Sequence, residues 1–245
     1  MEWSDDAIVL SVRAHGETSA ILEVLTRAHG RHAGLVRGGA SRKSKSALQP
    51  GNGVHLVWRA RLNEHLGNFT VEPMRSRAGH LIESRTALAG LNAFVSVVSA
   101  SLPERETHQS VFDAGEVLLD AMTEQDFAHW GPLFVRWELG LLDELGFGID
   151  LSQCAATGTT DELEFVSPKS GRAVSRAAAA PYKERLLALP LFLLGSQNAE
   201  PTPADIVAGL RLTAHFLLER VLRPHGKEMP PARLRLEELA HRESE

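Results

Sequence analysis

The sequence predicts an α+β chain, with a small five-stranded barrel over residues 1–80 followed by an all-α helical domain over 81–245. Two observations carry this division. Five short runs rich in Ile, Val and Leu, parted by turn residues, fill the first eighty positions. From Leu81 onward the apolar residues recur at helical spacing instead.

Residues 8–13 and 20–26 are strands separated by His15, Gly16 and Glu17, a turn by composition. A third strand, 30–36, follows a second break at Ala28, His29 and Gly30. The run 53–61 sets Val54, Leu56 and Trp58 against His55, Val57 and Arg59, the period of two of a half-buried strand. Residues 66–71 close the set before Pro73. Strands this short, without helical period between them, make a small barrel or sandwich. The OB-fold is the commonest five-stranded barrel that binds nucleic acids.

Helices are expected over 81–101, stopping at Pro103, over 107–124 and over 132–145. Trp130, Phe134, Trp137, Leu141 and Leu145 form one apolar stripe in the third, which reads as core. Residues 151–177 lose the helical period and hold Gly158, Pro168 and Gly171, as a loop or short hairpin insertion would. A last helix starts where Thr202 caps, Pro203 takes the first turn and Asp205 completes a capping box. It runs to about residue 223, before Pro224.

The net charge of −5 argues against nucleic acid, but its distribution reverses that impression. Up to His80 eleven Lys and Arg face seven Asp and Glu, a balance of +4; the remainder carries fifteen against twenty-four, or −9. No run approaches the ~20 apolar residues that span a bilayer. Residues 1–6 are acidic and unlike a signal peptide, and a single cysteine, Cys154, fits a reducing compartment. The expectation is a cytoplasmic protein.

The most informative stretch is 37–46, where Arg37, Arg42, Lys43 and Lys45 sit among Gly38, Gly39 and serines. A flexible, exposed loop of this kind fits itself to a phosphate backbone and binds without sequence preference. Arg13, Arg59 and Arg61 extend the basic set on the strands. A phosphate-binding NTPase loop is excluded, because Arg42 stands where the glycine before Lys43 would be needed. Asp5 and Asp6 are adjacent and point to opposite sides of a strand, so they make poor metal partners. No metalloprotease or nucleophile-elbow motif occurs, no catalytic residue is assigned, and no cofactor is implied. A structural zinc needs about four ligands, and Thr157 occupies the place of a Cys-x-x-Cys partner for Cys154. Two other classes compete with DNA binding: an OB-like scaffold for protein contacts, which suits the overall acidity, and a nucleic-acid enzyme, which lacks paired carboxylates.

Several segments follow one another in a fixed order. They are Ala7-Ile8-Val9-Leu10-Ser11-Val12-Arg13, Gly16-Glu17-Thr18-Ser19 and Leu25-Thr26-Arg27-Ala28-His29-Gly30-Arg31. Leu35-Val36-Arg37-Gly38-Gly39, Leu48-Gln49-Pro50-Gly51 and Leu66-Gly67 continue the series. Phe134-Val135-Arg136-Trp137-Glu138-Leu139, leading to Leu145-Gly146-Phe147, follows in the helical part. In this order the segments resemble the RecO family of bacterial recombination mediators, and the resemblance implies an N-terminal OB-fold, a helical C-terminal domain and a role in DNA repair and recombination at the nucleoid. It implies binding of single- and double-stranded DNA, and annealing of complementary strands without nucleotide hydrolysis. It also implies loading of RecA, with RecR, onto strands coated by single-stranded-DNA-binding protein, whose acidic, phenylalanine-ended tail such proteins contact.

Some relatives bind zinc through two Cys-x-x-Cys pairs in the insertion. The matching places here are Cys154, Thr157, Val174 and Ala177, so three ligands are gone and Leu163, Phe165 and Val174 are expected to hold the hairpin by packing. For the tail, the expected contact lies on the helix 203–223. Its core face is Ile206, Leu210, Thr213, Leu217 and Val221, with Leu212 and Phe216 lying round from it beside Arg220 and Arg223; Arg211 is on the other flank. An apolar pocket with flanking cations suits such a tail. The alternative is that this helix is packed on two sides and buries Leu212 and Phe216 as core.

Overall fold

The structure is a computed structural model that describes residues 1–195 and 200–244, with the backbone alone for Arg42 and Lys43. It divides into two compact units, Met1–Glu124 and Gln125–Glu245. The change from strands to helices comes earlier, between Arg75 and Ala78.

The first unit opens with β1 (Glu2–His15), β2 (Ser19–Thr26) and β3 (Gly30–Val36), followed by a short helix α1 (Arg42–Ala47) and by β4 (Gly53–Arg59) and β5 (Asn68–Arg75). The strands close into a barrel in the order β1-β2-β3-β5-β4. β1 serves two partners: Glu2–Ile8 pair with β4, and Ala7–His15 pair with β2 across a bulge between Val9 and Ser11. Val54, Leu56 and Trp58 point into the core with Ala7, Val9, Leu22, Val24, Val36 and Phe69, which bears out the alternation read for β4.

Two expectations need correction here. β5 does not stop before Pro73 but continues to Arg75. β3 meets β5 at one register point, Leu35 with Asn68, while Pro73 lies further along β5 opposite Val54 of β4. Residues 37–46 are not a wholly flexible loop. Gly38 (φ +70°) turns the chain, the Ser41 hydroxyl caps α1 by accepting the Ser44 N–H, and the buried Leu48 anchors its end in the barrel core.

Three helices complete this unit: α2 (Ala78–Glu83), α3 (Arg85–Ser101) and α4 (Gln109–Glu124). The single helix expected over 81–101 is broken at Ser84, whose extended backbone and hydroxyl cap the Ala87 N–H. Arg77, 3% exposed, ties these helices to the barrel. Its guanidinium grips both oxygens of Glu116 at 2.9 and 3.0 Å and Asp120 at 2.6 Å. The side-chain oxygen of Asn52 accepts the N–H groups of Arg77 and Ala78, and its amide donates to Ser46 and Ala47 carbonyls at the end of α1.

In the second unit α5 (Phe127–Glu144) starts earlier than expected, because Asp126 caps it and Pro132 falls in its first turns. The insertion forms the expected hairpin as β6 (Leu163–Val166) and β7 (Ala173–Ser175), and β8 (Leu187–Ala188) adds a third strand. A short helix α6 (Arg176–Ala179) follows β7. α7 (Pro203–Phe216) begins at the expected capping box and continues as a π-helical stretch, Leu217–Leu222, and a 3-10 turn, Arg223–His225. A further helix, α8 (Pro231–Glu243), lies beyond the last one expected from the sequence. Arg233 on α8, Glu138 on α5 and Thr213 on α7 are all fully buried. Arg233 donates to both Glu138 oxygens at 2.6 and 2.9 Å and to the Leu210 carbonyl at 2.7 Å, and the Thr213 hydroxyl donates to Glu138.

Removing one partner of such a pair strands a buried charge. Arg233→Leu is expected to cost about 3–5 kcal/mol in urea denaturation. The double variant with Glu138→Leu should recover most of that loss, and equal losses in the two proteins would disprove the coupling.

Candidate nucleic-acid interface

A groove of about 660 Å³ runs along the barrel where β3 and β5 part. Val36, Leu48 and Phe69 form its floor; Ser44 and Ala47 of α1 stand on one side, and Asn68, Thr70, Val71 and Pro73 of β5 on the other. Arg37 and Arg59 line it as well, so two cations distant in sequence come together on one surface. Lys45 projects from the adjoining helix and is exposed. The side chains of Arg42 and Lys43 lie outside the described residues.

Most of the described basic side chains within residues 1–80 fall into two sets. Arg27 pairs with Asp113 at 3.0 Å, Arg31 with Glu23 and Glu104, and Arg75 and Arg77 with Glu116 and Asp120. Their charge is answered within the protein. Arg13, Arg37, Lys45 and Arg61 are exposed and have no carboxylate partner among the described residues. Arg59 is intermediate: it reaches Glu2 at 2.8 Å and remains 65% exposed. The hydrogen bond from Arg59 holds the Glu2 carboxyl below its usual range, and Glu2 holds the guanidinium above its own. Of the basic residues singled out in the sequence, the structure brings Arg37 and Arg59 to the groove. Arg13 lies on β1 opposite Ile21, and Arg61 on the loop after β4.

The chain matches the family model for the N-terminal part of recombination protein O over residues 1–77, and that for its C-terminal part over residues 82–229. The chain belongs to the RecO family. It is 53% identical over 244 residues to the DNA repair protein RecO of Cereibacter sphaeroides strain KD131, covering 99% of each chain. The RecO proteins of Sinorhizobium medicae and Methylobacterium nodulans are 53% and 52% identical, over 95% of this chain and 92% and 95% of theirs. Membership places the chain among DNA repair and recombination proteins, and none of its described helices is long and apolar enough to cross a membrane.

Of the contact expected on α7 for the coat protein's tail, the apolar pocket at Leu212 and Phe216 is corrected by burial. Leu212 and Phe216 are fully buried, so they offer no pocket. The Arg220 guanidinium lies 4.5 Å from the Phe216 ring centroid and donates to the Phe147 carbonyl at 3.3 Å, while Arg223 pairs with Glu219. The second apolar face of α7 is core, the alternative that the sequence left open.

The positions that hold zinc in some RecO proteins do not fit the metal here. Thr157, Val174 and Ala177 supply no thiolate or imidazole, and among the described residues no three His, Cys, Asp or Glu side chains converge. Cys154 is buried and its Sγ accepts the Ser175 N–H at 3.3 Å. Burial pushes its thiol up, but hydrogen bonds from Ser175, Thr157 and the Ala156 backbone outweigh that and bring it down to about 6. Leu163, Val166 and Val174 are buried, while Phe165 is half-buried with Lys183 above its ring.

Folding is therefore expected to be independent of metal. Elemental analysis of protein purified without chelator should find no stoichiometric zinc, and excess chelator should leave the melting temperature unchanged. A full equivalent of metal, or a melt lowered by chelator, contradicts this.

Proposed function

We propose that this RecO-family chain is a non-enzymatic recombination mediator of the cytoplasm, associated with the nucleoid. In this reading it binds single- and double-stranded DNA through the barrel and anneals complementary strands. With RecR it helps to load RecA onto strands coated by single-stranded-DNA-binding protein. The observation that carries the reading is the placement of Arg37 and Arg59 on one groove beside α1, whose sequence adds Arg42, Lys43 and Lys45. Cations with no carboxylate partner release counterions when they meet phosphate, which gives affinity without base preference. The absence of nucleotide-binding and hydrolytic motifs from the sequence supports a role without turnover. The acidic tail of the coat protein is assigned to the helical unit, with Arg220 and Arg223 as candidates for its carboxylates; its aromatic ring must seat elsewhere than on Leu212 or Phe216.

Replacing Arg42, Lys43 and Lys45 together with alanine should weaken binding to oligonucleotides of every sequence. The slope of log affinity against log salt should fall by about one for each phosphate that is no longer neutralised. Melting should hardly change, since exposed charges contribute little to stability. If the triple variant binds as wild type does, α1 does not touch the DNA, and Arg13, Arg59 and Arg61 take its place. Absence of binding by the wild type even at low salt would favour an OB-type scaffold for protein contacts.

A further inference from the structure

Between α3 and α4 the chain is fastened to the turn joining β2 and β3. Arg31 Nε donates to the Leu102 carbonyl at 3.1 Å, the Arg105 N–H to the Arg31 carbonyl at 2.8 Å, and the Thr107 hydroxyl to the Ala28 carbonyl at 2.7 Å. The approach requires glycine at Gly30 (φ +68°), where a Cβ would lie 1.9 Å from the Glu106 carbonyl oxygen. On this anchored segment Arg105 has φ +63°, a left-handed conformation that side-chain-bearing residues seldom adopt. Such strain persists where surrounding contacts fix it, and it clusters at functional sites. The Arg105 side chain reaches the loop between β4 and β5 and donates to three successive carbonyls, those of Asn63, Glu64 at 3.4 Å and His65 at 3.0 Å. Within that loop the His65 N–H bonds to the Leu62 carbonyl at 3.2 Å, and Trp58 Nε1 holds the Leu66 carbonyl at 3.0 Å. The loop carries Arg61, one of the cations without a carboxylate partner among the described residues, and Arg59 of the groove stands at its base.

We infer that Arg105 is a positioning residue for DNA binding: its fork of donors fixes the β4–β5 loop so that Arg61 is presented to a phosphate. The role rests on the DNA-binding reading above. A loop of this length has many conformations, and fixing it beforehand removes an ordering cost that binding would otherwise bear. The Arg105 side chain is exposed, so apolar packing does not account for its reach to the loop.

The test uses the full chain and Arg105→Gly, which keeps the left-handed backbone accessible while removing the guanidinium. Hydrogen exchange without DNA reads the loop directly, and the amides of residues 62–66 should exchange faster in the variant. A labelled oligothymidylate, titrated at two salt concentrations, should bind Arg105→Gly about fivefold more weakly, within the coupling range of neighbouring residues. Arg61→Ala should weaken the wild type, yet add less than about twofold in the Arg105→Gly background. Losses that multiply, or loop exchange equal to wild type, overturn the positioning role while leaving DNA binding intact. Failure of the wild type to bind at low salt overturns the DNA-binding reading and this role with it.

Discussion

The barrel unit depends on one buried guanidinium. Arg77 sits where the chain leaves β5 for the helices, and taking its charge out of water is tolerable only because Glu116 and Asp120 meet it on α4. Burial works against the cation and the two carboxylates outweigh it, leaving Arg77 held above, and Asp120 below, their usual ranges. Asn52 makes that anchor matter for the groove. A single amide side chain spends its oxygen on the N–H groups that open α2 and its nitrogen on the carbonyls that close α1. The wall of the groove and the first helix beyond the barrel are thereby set by the same residue. The helical unit repeats the device with Arg233, which gathers α5, α7 and α8 around Glu138.

The electrostatics of the barrel unit follow from where its carboxylates lie. The first eighty residues hold an excess of four positive charges, but α4 lies beyond that boundary and supplies Asp113, Glu116 and Asp120 to arginines of the barrel. Counting charge by sequence segment therefore overstates the basic surface there. Within residues 1–80 the described cations that keep no carboxylate partner are Arg13, Arg37, Lys45 and Arg61.

Much of this is legible in the sequence, for physical reasons that differ by element. β4 can be read because burying one face of a strand enforces a period of two, and α7 because Thr202, Pro203 and Asp205 satisfy the orphan donors of a helix start. α1 cannot, since six polar and small residues carry no apolar period; its order comes from Ser41, Leu48 and Asn52, the last ten residues beyond the helix's first. Leu212 and Phe216 mislead for the opposite reason. A second apolar face looks the same in sequence whether it meets solvent, a partner or the interior, and here it meets the interior. Arg105 gives no local signal, because the carbonyls it holds lie about forty residues earlier.

The groove also explains why its two arginines are unequal. Arg37 has no carboxylate beside it among the described residues and would exchange small counterions for a phosphate, a gain that grows as salt falls. Arg59 already has Glu2 at 2.8 Å. A phosphate arriving there must displace or share with a carboxylate, so one exposed ion pair replaces another, and such pairs differ by little. No condensed counterion is freed in that exchange. Under the proposed DNA-binding reading, Arg59 would orient a strand along the groove through the fork of its guanidinium, and salt-sensitive affinity would fall to Arg13, Arg37, Lys45 and Arg61. The acidic residue that weakens the electrostatic pull at Arg59 is also the one partner that its guanidinium has among the described carboxylates, an exposed pair at 2.8 Å on the rim of the groove.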